Sequence, residues 1–192
     1  MKVIMWDVDD VLNDLMGEWF RLSWLPEHPE CRVEYSGIVA NPPHEIIGIS
    51  KEIYLESLDS FRTQKFSQLK PLPEMTEWFN LHGARANHVV VTSVPLVAAR
   101  LSADWVFTHF GPWIRSFNIV PSPRPGVIPN HGPKTKVEYL QTFSKVDIVV
   151  EDNSETLCSM RQLGIDTVMV PRPWNESKGS LPEVLTQLTN SL

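Results

Sequence analysis

The chain has 192 residues, of which 42% are hydrophobic and 21% are charged, and its formal net charge is −6 at pH 7. This composition is typical of one globular domain with a substantial core, and it excludes two domains of ordinary size. The negative charge argues against a nucleic-acid polymer as ligand, and the apolar runs are too short to span a membrane. Met1 and Lys2 lead into a strand without a signal-peptide pattern, which favours a cytoplasmic protein.

Five short apolar runs predict buried strands. The runs are rich in Val and Ile and alternate with segments that read as helices. Strands that alternate with helices favour an α/β fold, in which helices cover both faces of a parallel sheet through right-handed crossovers. The predicted strands are Val3 to Trp6, His88 to Val91, Phe117 to Val120, Asp147 to Val150 and Thr167 to Val170.

The predicted helices are marked by proline at the start or by glycine just past the end, which is how helices are commonly bounded. They cover Pro73 to His82, Pro95 to Phe110, Pro133 to Phe143, Asn153 to Leu163 and a short segment from about Leu181.

An insertion follows the first strand. About eighty residues, 7–87, separate the first two predicted strands, and the roughly sixty that come before the helix predicted at Pro73 are far more than one crossover requires. The insertion holds predicted helices near Asp14 to Trp24 and Ser50 to Leu58. We therefore predict a small helical cap at residues 13–70 and a core domain made of residues 1–12 and 71–192.

Polar side chains follow the predicted strands. Ligands of open parallel sheets bind beyond the carboxyl ends of the strands, so these side chains are candidate site residues and are expected to converge. They are Asp7 and Asp9 after the first strand, Thr92 and Ser93 after the second, Lys134 in the predicted helix that opens at Pro133, and Glu151 and Asp152 after the fourth strand.

The predicted cluster of acids indicates a metal-dependent phosphoryl transfer. Carboxylates that lie close together repel each other unless a cation neutralises them, and an all-oxygen ligand set favours Mg²⁺. Asp7 and Asp9 are two residues apart, so one carboxylate can attack a phosphorus while the other protonates the leaving oxygen. Thr92 and Ser93 would then bind the phosphoryl oxygens, and Lys134 would offset their charge.

These residues resemble the four signatures of the haloacid dehalogenase superfamily of phosphotransferases. The matching segments, in order, are DVDDVLND, VVVTS, GPKTKVEYL and IVVEDN. The resemblance implies a Rossmann-like three-layer α/β/α sandwich with a five-stranded, mainly parallel sheet. It also implies that Asp7 is the nucleophile and binds metal, that Asp9 is the general acid and binds Mg²⁺ through its backbone carbonyl, and that Asp152 is the main carboxylate ligand. Glu151 is a second candidate for that role.

A narrower resemblance is to the 5'(3')-deoxyribonucleotidase branch. It is carried by VDDVLND, LKPLPEMTEWFNL, TSVPLVAARLSADWVFTHFG and the tail PRPWN, and it implies a substrate among the (deoxy)nucleoside monophosphates. Two departures are present. Asp10 stands where many relatives have glycine, and Glu151-Asp152-Asn153 stands where the nucleotidases have two aspartates and an arginine. We expect Asp10 to support the turn rather than to act in catalysis.

The residues of the predicted cap are expected to determine the substrate specificity. Phe66 is our candidate for stacking a nucleobase, and the neighbouring Arg62 and Lys65 could hold an anionic substrate. Two alternatives remain: another small phosphate ester, such as a sugar phosphate or a biosynthetic intermediate, and a catalytically silent domain that binds a phosphorylated ligand. A binding domain has no need for both a nucleophile and a proton shuttle. The protein is expected to be a monomer or a homodimer.

Overall fold

The computed structural model describes residues 1–124, 131–143 and 145–192. Within these ranges, five strands form one sheet in the order β3-β2-β1-β4-β5, and every neighbouring pair is parallel. Each strand overlaps a predicted one, so the prediction of an α/β fold with a five-stranded parallel sheet is confirmed. The strands are β1 (Val3–Trp6), β2 (Asn87–Val94), β3 (Ile114–Pro121), β4 (Ile148–Glu151) and β5 (Asp166–Met169).

Most of the helices overlap a predicted segment, and most of these differ from it at one or both ends. The α-helices are α1 (Leu15–Trp19), α2 (Leu25–Glu27), α3 (Lys51–Lys65), α4 (Pro73–His82), α5 (Leu96–Phe110), α6 (Lys136–Phe143), α7 (Ser154–Gln162) and α8 (Leu181–Asn190). A π-helical turn, Phe20–Trp24, joins α1 to α2. Both bounds predicted for α4 are confirmed.

The helix α3 continues to Lys65, well past its predicted end at Leu58. It begins where the Ser50 hydroxyl oxygen accepts a hydrogen bond from the Ile53 amide at 3.2 Å, which satisfies a free amide of the first turn. Its later turns bury Phe61 and Arg62 as well. This burial against the rest of the molecule extends the helix beyond the segment that its local pattern predicts.

The centre of the sheet positions the site. β1 lies between β2 and β4, and its residues Ile4, Met5 and Trp6 are fully buried. Beyond the last residue of β1, the Asp7 amide still donates to the Val150 carbonyl of β4 at 3.1 Å. The carboxyl ends of β1 and β4 are therefore held side by side, with their polar residues next to each other.

The insertion shares its core with the sheet. One continuous hydrophobic cluster includes Trp6 of β1, Trp19 of α1, Phe61 of α3 and Phe79 of α4. The chain enters and leaves the insertion at neighbouring points: Asn13 forms an antiparallel bridge with Pro71, and the Leu72 amide donates to the Leu12 carbonyl at 2.9 Å. The division at residues 12/13 and 70/71 stays a prediction. Among the residues that are described, no helix has the length and apolar character needed to cross a membrane.

Candidate functional site

A cavity of about 520 Å³ lies beyond the carboxyl ends of β1, β2 and β4. The sheet side of the cavity contributes Asp7, Asp9 and the two acids that end β4, and α3 contributes Arg62 from the predicted cap. Most of the predicted site residues are therefore brought to one place by strand ends that are far apart in sequence, as the parallel topology requires.

Three acids form the floor of the cavity. Asp7, Glu151 and Asp152 each offer a carboxylate oxygen, and these oxygens lie within 4.8 Å of one another. All three residues are buried, with 7%, 1% and 5% of their surface exposed. Burial, together with the charge of Asp7, raises the pKa of Glu151 well above its usual value. Burial, together with the charge of Asp10, raises the pKa of Asp152 to about 6.

A buried lysine partly neutralises this acidic floor. The Lys136 Nζ lies 2.9 Å from Asp7 Oδ1 and 2.5 Å from Glu151 Oε2. Burial alone would lower the pKa of Lys136, but the two carboxylates outweigh it and the pKa is raised. Lys136 is therefore a fixed positive charge at the nucleophile proposed from the sequence.

The floor fits a divalent cation. One ammonium group lies beside two of these three carboxylates, and like charges held within 4.8 Å of one another repel unless a further positive charge is present. The raised pKa values of Glu151 and Asp152 agree with this repulsion. A cluster with oxygen ligands only suits Mg²⁺, which takes one or two carboxylates and keeps its remaining positions for water and phosphate oxygens. The residues present therefore fit the predicted metal.

The lysine beside Asp7 is Lys136, whereas the sequence pattern pointed to Lys134. Lys134 lines the cavity but is exposed, and its amide donates to Glu138 Oε2 at 2.8 Å. The reason is that α6 begins at Lys136, which puts this residue on the same buried helix face as Leu140. The segment GPKTKVEYL contains two lysines. Only Lys136 lies four residues before Leu140, and this spacing could have indicated that Lys136 is the lysine on the buried face of the helix.

The two hydroxyl residues of β2 lie on different faces of the strand. Ser93 lines the cavity, and its hydroxyl donates to the Pro121 carbonyl at 3.3 Å. Thr92 is 1% exposed and is not part of the cavity lining among the residues that the structure describes. Alternation along the strand turns neighbouring side chains to opposite faces, so of the two predicted phosphate-binding hydroxyls only that of Ser93 reaches the cavity.

Asp9 is held by Arg62 of α3 and is not one of the three clustered acids. Its Oδ2 accepts a hydrogen bond from Arg62 Nη2 at 2.8 Å, and its Oδ1 is buried without a hydrogen-bond partner in the described part of the chain. Burial raises the pKa of Asp9, and Arg62 opposes this shift only in part. A raised pKa suits the proton donor predicted at this position. The metal contact predicted for its backbone carbonyl stays a prediction.

Asp10 supports the turn after β1, as expected. Its φ of 61° lies in the left-handed region, where glycine is favoured and aspartate is tolerated because its short side chain can bond locally. The Asp10 Oδ1 accepts from the Met16 amide at 2.9 Å, and its own amide donates to Asn13 Oδ1 at 3.2 Å. These two contacts hold the loop that carries Asp7 and Asp9.

The segment PRPWN, residues 171–175, ties the two acidic loops together. Arg172 Nε donates to the Asp10 carbonyl at 2.7 Å. The Trp174 indole N–H donates to Asp152 Oδ2 at 2.7 Å, and Asn175 Nδ2 donates to the Asp152 carbonyl at 2.8 Å. In the sequence, this segment stands out only through its resemblance to the nucleotidase branch. Its dense run of side-chain donors after a predicted strand was the signal for a structural role at the site.

Phe66 is a core residue and does not form the predicted stacking surface. It is 2% exposed, and its ring meets that of Trp105 edge-on with 5.9 Å between ring centroids. Within the described cavity lining, the aromatic residue is Tyr54, which is itself only 3% exposed. Other aromatic residues of the insertion are core residues as well: Trp19 of α1, Phe20 and Trp24 of the π-helical turn, and Tyr54 and Phe61 of α3.

Replacing Phe66 with alanine tests this correction. We expect the free energy of unfolding to fall by about 3–5 kcal/mol, because the substitution opens a cavity in a packed core. Chemical denaturation measures the change, and Phe107→Ala is the matched control because Phe107 is 45% exposed. A normal stability together with a selectively raised KM for nucleotides would instead show that Phe66 contacts a base.

No family model matches the chain, and no curated protein matches it. Solved structures do resemble it over nearly its whole length. A β-phosphoglucomutase candidate from Thermotoga maritima has a TM-score of 0.58 at 18% identity, with all of both chains covered. A candidate phosphoglycolate phosphatase from Lactobacillus delbrueckii subsp. bulgaricus has a TM-score of 0.61 at 13% identity, covering 100% of this chain and 98% of that one.

A haloacid dehalogenase-like hydrolase from Streptococcus pneumoniae has a TM-score of 0.59 at 13% identity, covering 97% of this chain and 90% of that one. At these identities the likeness shows the fold. The chain therefore has the Rossmann-like α/β fold of haloacid dehalogenase-like proteins, as its four sequence signatures implied. None of the three structures is described as a nucleotidase, so the narrower resemblance gains no support from them.

Proposed function

We propose that the protein is a magnesium-dependent phosphomonoesterase that hydrolyses a small phosphate ester through an aspartyl-phosphate. One observation carries the proposal: the buried carboxylate of Asp7 lies 2.9 Å from the Lys136 ammonium, within an acid cluster that fits Mg²⁺, and a second acid, the partly buried Asp9, lines the same cavity. The order and placement of the four signatures support the same reading.

In the proposed reaction, an oxygen of Asp7 attacks the phosphorus of the ester and the bond to the leaving oxygen breaks. Asp9 donates a proton to that oxygen, and in the second step it takes a proton from the water that cleaves the aspartyl-phosphate. The ammonium of Lys136 offsets the negative charge on the phosphoryl oxygens, and Ser93 can offer them a hydroxyl or an amide.

Asp7, Glu151 and Asp152 would hold the magnesium ion, which supplies a positive charge that draws the phosphate onto the acidic floor. Trp174 and Asn175 fix the side chain and the backbone of Asp152. These contacts keep one carboxylate in place while leaving Glu151 shared with Lys136. The second layer of contacts around metal ligands commonly sets their orientation in this way.

Two substrate classes remain within this activity. The motif resemblance favours (deoxy)nucleoside monophosphates, and we retain them as the narrower proposal. The alternative is another small phosphate ester, such as a sugar phosphate or a biosynthetic intermediate. A specific observation favours the alternative, because the described cavity lining offers one nearly buried aromatic ring and several cations. The silent binding domain is disfavoured because Asp7 and Asp9 both line the cavity.

Phosphate release from a panel of nucleotides, sugar phosphates and phosphorylated carboxylic acids tests the proposal. We expect activity that disappears with EDTA and returns with Mg²⁺. We also expect Mg²⁺ at 100 times its Kd to stabilise the fold by about 2.7 kcal/mol, because it binds the folded state. Asp152→Asn should weaken both effects. The proposal would be contradicted if the protein released phosphate from no ester of the panel and if its melting temperature did not change on addition of Mg²⁺.

A further inference from the structure

Two arginines, Arg62, which is buried, and Arg124, which is partly buried, line the same cavity as the acidic floor. Arg62 is in the last turn of α3, and Arg124 follows β3. Their side chains are 7% and 13% exposed. Arginine can remain charged at such positions because its pKa is very high. The chain therefore places two permanent positive charges in the wall of the cavity.

A single carboxylate joins the two arginines. Asp59 accepts two hydrogen bonds from Arg124, at 2.6 Å from Nε and at 2.8 Å from Nη2. It accepts a third from Arg62 Nη1 at 3.1 Å. The contact with Arg124 is bidentate, which is the strongest arrangement of this ion pair. Asp59 thus fixes both guanidinium groups, and among the described residues Asp9 is the other carboxylate paired with them, through Arg62.

In the part of the chain that the structure describes, one hydrogen-bond donor of Arg62 is unsatisfied. Its Nη2 bonds to Asp9, while its Nε is buried without a hydrogen-bond partner among the described residues. A buried donor without a partner costs free energy unless a ligand or water satisfies it. Because Arg62 lines the cavity, an anionic group of a ligand could satisfy this donor.

The distribution of charge shows where such an anion fits. The phosphate of the substrate belongs on the floor, beside Lys136 and the metal-binding acids. Arg62 and Arg124 line the same cavity and are joined to each other through Asp59, whereas Lys136 is paired with Asp7 and Glu151 of the floor. Two separate cationic regions in one cavity match a ligand that carries two separate anionic groups.

We propose that Arg62 and Arg124 form a subsite for a second anionic group of the substrate, a carboxylate or a second phosphate. This inference rests on the proposed function, since it assumes that the first phosphate lies on the floor. It identifies the substrate class as small phosphate esters with a further anionic group, in preference to esters whose remainder is neutral. Asp59 is the residue that positions both arginines.

Binding of phosphonates tests the subsite without turnover. The probes are 3-phosphonopropionate and propylphosphonate, which differ in that a carboxylate replaces a methyl group, measured by calorimetry with excess Mg²⁺. We expect the carboxylate to tighten binding at least about tenfold, as a charge-assisted pair with arginine does. The pair phosphonoacetate and ethylphosphonate makes the same comparison with one carbon fewer between the phosphonate and the carboxylate. Ethane-1,2-diyl bisphosphonate shows whether a second phosphate-like group is preferred to a carboxylate.

Three variants locate the effect. Arg124→Met should remove most of the preference and leave the affinity for propylphosphonate unchanged, because Arg124 contacts neither Asp9 nor the acidic floor through a described hydrogen bond or ion pair. Arg62→Lys keeps the charge but loses the fork geometry, and it should reduce the preference in part. Arg100→Met is the matched control, since the Arg100 side chain is 91% exposed.

Equal affinity for the two probes, or a preference that survives both arginine variants, would overturn the subsite and leave the proposed phosphatase standing. Failure of every phosphonate to bind would overturn the subsite and also count against the phosphate site on the floor. A clear preference for the carboxylate, in a protein that hydrolyses no ester of the panel, would support the subsite and contradict the proposed hydrolysis. The failures of the two proposals are therefore distinguishable.

Discussion

Replacing Asp7 with asparagine is expected to lower phosphate release by about 10⁴-fold or more, because the amide cannot form the covalent intermediate on which the proposed reaction depends. The substitution keeps the size of the side chain. It also removes one of three carboxylates that lie within 4.8 Å of one another. We therefore expect the free energy of unfolding without Mg²⁺ to be no lower than that of the wild type.

The loss of activity with retained stability is the signature of a residue that acts in the chemistry. Single-turnover phosphate release and chemical denaturation measure the two quantities. Asp104→Asn is the matched control, because the Asp104 side chain is 68% exposed on α5 and its variant should behave as the wild type does. Substantial phosphate release by Asp7→Asn would show that Asp7 is not the nucleophile.

Replacing Lys136 with methionine is expected to destabilise the fold by about 3–5 kcal/mol, because it leaves two buried carboxylates without their cation. These are Asp7 and Glu151, which lie 2.9 and 2.5 Å from the ammonium. Activity should fall by about 10²–10³-fold where the variant is still folded, since a charge-stabilising group at the phosphoryl oxygens is lost. Mg²⁺ should restore part of the stability, because it neutralises the same acids.

Lys134→Met separates the two lysines of GPKTKVEYL. Lys134 is exposed, so its variant should keep the stability of the wild type and most of its activity. Thermal unfolding with and without Mg²⁺, together with kcat and KM for the best ester of the panel, measures the contrast. If Lys134→Met lost the activity and Lys136→Met kept it, the original prediction from the motif would be right and the assignment from the structure would be wrong.

The regular elements of the core could be predicted from the sequence because they depend on local patterns. Short runs of Val and Ile read as buried parallel strands, and β1 begins and ends where the pattern predicts. Proline and glycine bound α4 in the same way. The ends of α3 and α6 were less predictable, since α3 is extended by tertiary burial and α6 begins later than the proline that precedes it.

The acidic floor was also predictable, and its remaining contacts were not. Asp7, Glu151 and Asp152 each follow or end a predicted strand, and parallel topology alone brings them together. The motif GPKTKVEYL does not distinguish Lys134 from Lys136, because the distinction depends on the rotation of a helix about its axis. The sequence predicts that Phe66 binds the substrate because the local sequence around an aromatic residue does not show whether its ring lines a cavity or packs in the core.

What the sequence determined by itself was the parallel sheet, the insertion after β1 and the acids at the strand ends, all of which follow from the order of apolar and polar residues along short segments. The tertiary structure decided the partners of those acids. Arg62 meets Asp9 across 53 residues, and Arg172 reaches the Asp10 carbonyl across 162. Contacts of this kind depend on how packed segments are oriented in space, and no local pattern of residues carries that orientation.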